Sequence, residues 1–184
     1  MALFTGVFSA FGLAASAGLN AYIPLLVIAL LARFTNLITL SPPWDTLTHP
    51  AIIALLFVLA AIEFFADKVP AVNHLNDVLQ TLIRPTAGAI AFAAGSGAIG
   101  HVHPVLALAA GLLVAGSVHA VKSLAVRPAV TATTGGLGHA PVSLAEDIVA
   151  TVVSLIAVVI PLLALVVLAF ALAWWFWRKS RRAV

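Results

Sequence analysis

Three ionisable residues, Glu63, Asp67 and Lys68, close an apolar run in the stretch AIEFFADKVP (61–70). On a helix Glu63 and Asp67 stand one turn apart on one face, with Lys68 a residue further round. Two carboxylates so placed repel unless a cation lies near or one of them is protonated. Cations are available: Arg84, Lys122 and Arg127 fall near the ends of other apolar runs, and His119 lies one turn before Lys122. Such a constellation can bind a small cation, relay protons or hold an anionic group. It can equally be a set of ion pairs that locks helices together.

A second group follows in TATTGGLGHAPVSLAED (131–147). Thr131, Thr133 and Thr134 with Gly135, Gly136 and Gly138 supply hydroxyls and a backbone free to turn its carbonyls or N–H groups towards a ligand. Glu146 and Asp147 nearby would suit a cation; Arg127 and a helix N-terminus would suit a phosphate or carboxylate. The residues do not decide between them. Ser143 with Glu146 also reads as a capping box, placing Asp147 near a first helical turn. His101-x-His103 has two imidazoles, but on a helix they point apart, so a short loop before Pro104 is expected and no metal site. No HExxH, GxSxG or Walker pattern appears, and no nucleophile–base pair stands out. Without cysteine there is no thiolate chemistry. Neither an enzyme nor a cofactor is expected.

The elements that must position these groups are apolar. Of 184 residues, 63% are hydrophobic and 8% charged, with a mean hydropathy of +1.17. A soluble domain carries roughly 25% charged residues. We therefore expect an all-α, polytopic transmembrane helical bundle of five to six spans, forming a single transmembrane domain over 1–184. The pI near 10.0 is no sign of nucleic acid. Four of the nine basic residues crowd a terminal tail (178–184), where Trp174, Trp175 and Trp177 beside Arg178 and Lys179 read as a membrane-surface anchor. The N-terminus lacks the positive region of a cleaved signal peptide.

The first apolar run, Leu3 to Leu31, would reach about 43 Å as one helix, beyond a hydrocarbon core of about 30 Å. Gly18, Asn20 and Pro24 offer a break or kink, with Asn20 satisfying the backbone or facing a cavity. After a loop (34–50) the second span covers 51–66. Residues 69–84 read as a short interfacial helix, and Pro85 as the first position of the next. That helix is made of small residues; Ala87, Ala91 and Gly95, and Ala89, Ala93 and Gly97, form faces for close helix approach. The fourth span covers 105–121, and the polar segment after it is not expected to face lipid. Ile148 to Trp177 has no charge, and Pro161 either kinks it or divides it. His49-Pro50 and His103-Pro104 open the second and fourth spans while Lys68 and Lys122 close them, the trace of an internal repeat. Counting positive charges favours six spans with both termini cytoplasmic, unless Lys68, Arg84, Lys122 and Arg127 are paired within the protein.

The motifs GLNAYIPLL, EFFADKVPAVNHLND, RPTAGA and HAVKSLAVRPAVTATTGGLGHAPVSLAEDIVA together resemble the bacterial and plastid membrane-protein family of domain of unknown function 4126, from about Gly18 to Pro161. The resemblance implies a small helical integral membrane protein, in a bacterial inner membrane, with no assigned chemistry. It also suggests that Asn20, Glu63, Asp67, Lys68, Arg84, Lys122, Arg127, Thr134, Gly135, Glu146 and Asp147 form one assembly. The expected function is a small transporter or channel for an ion or small polar solute. Glu63 and Asp67 would bind a cation or relay protons, and Lys68, Lys122 and Arg127 would balance charge. The alternatives are binding or flipping of an anionic lipid headgroup by Arg84, Lys122 and Arg127, and a structural protein with paired charges only. Expected partners are membrane lipids, the transported ion or solute and, through the small-residue faces, a second copy of the chain; no nucleic acid is expected.

Overall fold

The computed structural model describes residues 2–68, 70–96 and 102–180, with side chains over 6–68, 76–96 and 102–160. The His74 side chain, Gly97, His101, the side chains of the tryptophan-rich anchor and residues 181–184 of the basic tail lie outside what is described. Among those described, all regular structure is helical: α1 (Ala2–Leu19), α2 (Tyr22–Phe34), a 3-10 turn (Trp44–Thr48), α3 (Pro50–Ala66), α4 (Pro70–Ser96), α5 (Pro104–Val121), a π turn (Lys122–Val126), α6 (Arg127–Thr134) and α7 (His139–Ser180).

The first apolar run is broken, not merely kinked. Asn20 leaves the helix, and its Oδ1 accepts from Tyr22 N (3.1 Å) and Ile23 N (3.0 Å), so it caps α2. Pro24, in the first turn of α2, lacks an N–H that would have no partner there. Histidines cap α3 and α5 in one way. His49 Nδ1 accepts from Ala51 N and His103 Nδ1 from Val105 N, both at 3.3 Å, each with proline at the head of the helix.

Three boundaries differ from expectation. Residues 70–84 are not a separate interfacial helix; α4 runs unbroken through Pro85 to Ser96. Pro85 deprives the Thr81 carbonyl of its donor, at an exposed residue. The segment after 121, expected only not to face lipid, is helical as far as Thr134, and its Leu124 is exposed. The last helix begins at His139 and is one helix through Pro161, so the bend that six spans require is missing.

Helix α1 lies at the centre, against α4, α5 and α7. Ala10, Ala14, Ala17 and Ala91 are wholly buried there, and Ala87, Ala89 and Ala93 nearly so. The small faces of α4 are thus used inside the chain. Where α4 meets α5, a Cβ on Gly111 would strike the Gly88 carbonyl and come within 2.7 Å of Ala89 Cα. Only glycine allows that approach. Outside, large apolar groups are bare: Phe57 is 64% exposed, Leu113 66% and Leu124 78%, whereas Arg84 and Glu63 inside are at 0% and 1%. The stretches 104–134 and 139–160 are long and apolar enough to cross a membrane, and Gly6–Leu19, Tyr22–Phe34 and Pro50–Ala66 are shorter apolar helices.

Candidate functional site

The break between α1 and α2 exposes two helix ends, one with unpaired carbonyls and one with unpaired N–H groups. A charge of suitable sign meets each. Glu63, in the last turn of α3, accepts from Ala21 N through Oε2 (3.1 Å) at the positive end of α2. Lys122 Nζ donates to Leu19 O (3.0 Å) at the negative end of α1. Asn20 Nδ2, between them, donates to Asp147 Oδ1 (2.9 Å) on α7. The break therefore gathers α3, the π turn and α7 around it.

Arg84 on α4 takes Glu63 Oε1 through both Nη2 (2.8 Å) and Nε (3.2 Å), a charge-assisted pair wholly out of solvent. Its Nη1 points at His119 Nδ1 (3.3 Å). A guanidinium has only hydrogens to offer, so Nδ1 is the acceptor and Nε2 carries the imidazole hydrogen towards Thr81 Oγ1 (3.2 Å).

Asp67, just past the end of α3, is the hub. Arg127 Nη2 (3.0 Å), Arg84 Nη2 (3.4 Å) and Lys122 Nζ (3.4 Å) all converge on its Oδ2, while Asn76 Nδ2 donates to Oδ1 (2.7 Å). Glu146 on α7 faces Lys122 (2.7 Å) and Arg127 (3.8 Å). Asp77 faces Arg127 at 3.7 Å. Lys68 pairs with Asp147 (3.3 Å), donates to Phe64 O (3.0 Å) and lies 3.1 Å from the centre of the Phe64 ring.

The π turn explains how Lys122 and Arg127 both reach Asp67. Five positions along an α-helix are about 140° apart at 3.6 residues per turn. In the π turn Arg127 N–H bonds Lys122 O, so the two residues stack on one face. Pro128 follows at once. It has no N–H, and its ring would clash with the carbonyl four residues back in a normal α turn.

The structure brings Asn20, Glu63, Asp67, Lys68, Arg84, Lys122, Arg127, Glu146 and Asp147 together. Thr134 and Gly135 stand apart, exposed, at the turn that ends α6. Gly135 adopts φ +61° and Gly136 φ +93°, and Thr134 Oγ1 accepts from Gly138 N (2.9 Å). These residues close a helix and turn the chain, which is sufficient reason for their types. The capping box is absent: Ser143 lies inside α7, buried, and Glu146 spends its charge on Lys122 and Arg127. Nor is Asp147 in a first turn. Because Lys68, Arg84, Lys122 and Arg127 are all paired within the bundle, they drop out of any count of loop charges.

Asn76 and Asp77 were not anticipated as members. The signal was there: Asp77, Gln80 and Arg84 recur at helical spacing, a polar stripe that faces the bundle instead of a water interface. Among the described residues no group of three His, Asp or Glu is arranged to hold a metal ion. Beside the cluster lies a cavity of about 510 Å³. Its walls are Leu19, Val118, Val121, Val142 and Val149, with Lys122 and Glu146 bordering it.

No curated protein and no solved structure matches the chain. A family model, the domain of unknown function DUF4126, matches residues 7–181, motifs and charge cluster included, and the chain belongs to that family.

Proposed function

We propose that the chain is a polytopic protein of the bacterial inner membrane and that its charge cluster is the polar site of a path for an ion or small polar solute. Five rods would cross the bilayer: the broken α1–α2, α3, α4, α5 with α6, and α7. The observation that carries this reading is the inverted distribution of polarity. Arg84, Glu63, Asp67 and Lys122 are buried, whereas phenylalanine, leucine and valine cover the outside. In water such a surface would aggregate; in lipid it is the expected one.

Ion pairs alone would hold helices together; it is the position of the cluster that supports a path. It sits at a broken helix whose ends are held by side chains, so a moving ion or solute can compete for the same backbone groups. Asp67 Oδ2 is shared by three cations, an arrangement that can be redistributed without leaving any of them far from a carboxylate. The small faces of α4 are occupied by α1 and α5, so a second copy, if it assembles, would use another surface.

The test is flux in proteoliposomes. Asp67→Asn and Glu63→Gln keep the shape and remove the charge, and flux of the conducted ion or solute should fall at least tenfold in protein that remains folded. Unchanged flux in both variants would remove the cluster from the path.

A further inference from the structure

Helices α5 and α7 both pack on α1, yet among the described residues they hardly touch each other. A Cβ on Gly18 would come within 2.6 Å of Ala115 O and Val118 Cβ, so α1 lies hard against α5 there. On its other side α1 is tied to α7: Ser16 Oγ donates to Ala150 O (2.7 Å), and Asn20 Nδ2 to Asp147. Helix α1 then stops at Leu19. Past that residue it contributes no side chain to the space between the end of α5 and the start of α7. The cavity of about 510 Å³ lies at this place, with Leu19 in its wall.

Its surface is the reverse of the cluster's. Val118 and Val121 come from α5, Val142 and Val149 from α7. Ser117 also lines it, but its hydroxyl is spent on Leu113 O (2.7 Å) of its own helix. Lys122 and Glu146 border the cavity and face each other at 2.7 Å, their side chains only 2% and 11% exposed. An occupant therefore meets carbon on most sides and, at one edge, an ammonium and a carboxylate already turned to one another. Val121 and Val149 are exposed as well, so the cavity opens on the apolar outer face.

These walls suit few occupants. A buried water needs roughly 2–4 polar partners, and a polar solute needs more than the rim provides. An α-helix is about 10 Å across, so a 10 Å length of one fills roughly 800 Å³, more than the cavity holds. A single hydrocarbon chain needs no hydrogen bond and is thin enough. The wall from Val142 to Val149 gives it a track of about 10 Å. Left empty, the lining would forfeit its contacts on one side.

We infer that this cavity is a binding site for one acyl chain of a membrane lipid, entered sideways from the bilayer between α5 and α7. Packing holds the chain, since hydrocarbon gains nothing in hydrophobicity by leaving lipid for valine. The headgroup stays outside and is not selected by charge. With the chain in place, the Lys122–Glu146 pair has hydrocarbon on its flank, and the cluster is sealed from the lipid side. The inference rests on the membrane reading of the outer surface, not on conduction.

Lipids with a photoreactive diazirine in the tail, in bilayers of phosphatidylcholine or phosphatidylglycerol with the full chain, read the site directly. Adducts should gather on Val118, Val121, Val142 and Val149 several-fold over Phe65 and Leu82, which stand beside the cluster and are more exposed. The pattern should be the same for both headgroups. Mass spectrometry of the chain released from mild detergent should find a retained lipid. Ala145→Phe fills the cavity from its rim and should remove that lipid and its adducts, whereas Leu82→Phe on the open face should not. If Ala145→Phe does not fold, the adduct map of the wild type decides by itself. Adducts spread evenly over the outer face, a lipid that Ala145→Phe leaves in place, or retention that follows headgroup charge would overturn the assignment. A wild-type dimer that Ala145→Phe separates would give the cavity to a second copy and overturn it too. A chain that keeps its lipid yet conducts nothing sustains the site and defeats the transport reading, so the two fail separately.

Discussion

Arg84→Met tests whether the burial of charge is what holds the bundle at the helix break. The substitution keeps the length and most of the volume of the side chain but leaves Glu63, 1% exposed, with the Ala21 N–H as its remaining close donor. Removing one partner of a buried ion pair costs about 3–5 kcal/mol, because the other charge stays behind uncompensated. Asp67 softens the loss little, as it keeps Lys122 and Arg127. Glu63→Gln in the same background removes the stranded charge, and its amide oxygen can still accept from Ala21. The double variant should therefore recover about 2 kcal/mol or more of the loss, an interaction of the size seen for groups in contact. The assay is equilibrium unfolding in mixed micelles, followed by helical circular dichroism, on the wild type, both single variants and the double. Additive losses, or an Arg84→Met variant within about 1 kcal/mol of wild type, would refute the premise that Glu63 and Arg84 depend on each other.

Gly111→Leu should separate α4 from α5, since even one added carbon strikes the Gly88 backbone, and should lower stability by about 3 kcal/mol or prevent folding, read by the same unfolding measurement. Gly135→Ala places a side chain at φ +61° with open space around it, so it should cost only about 1 kcal/mol, and Gly135→Asn less; neither should alter flux, because the turn lies apart from the cluster.

Much of this architecture could be read from residue types. Low charge and long apolar runs pointed to helices, Asn20 and Pro24 marked the break, and the two His-Pro pairs marked helix starts. The gathering of charges was foreseeable because isolated charges are too costly among apolar helices. What could not be read was the pairing. Asp67 has Lys68 beside it in sequence, yet its partners come from Arg84, Lys122 and Arg127, and Lys68 turns to Asp147. Local patterns also misled where tertiary packing outweighed them. Ser143 and Glu146 satisfy the spacing of a capping box, but the chain had already turned at Gly135 and Gly136 and begun α7 at His139. Pro85 resembles a helix start, but packing of α4 on α1 and α5 carries the helix through it. The π turn has no plain signature beyond Pro128.

The break at Asn20 also sets an order of assembly. Its side chain waits for Asp147, 127 residues later in the chain, and Ser16 in the preceding turn waits for Ala150, 134 residues later. At a synthesis rate of about 5–20 residues per second, the N-terminal rods stand for roughly 6–25 s before their last partners exist. Within that interval the helix ends at the break gain their earlier partners, Glu63 on Ala21 N and then Lys122 on Leu19 O, while Asn20 Nδ2 still lacks its carboxylate. Arrival of α7 is thus the step that gives Asn20 and Ser16 their distant partners.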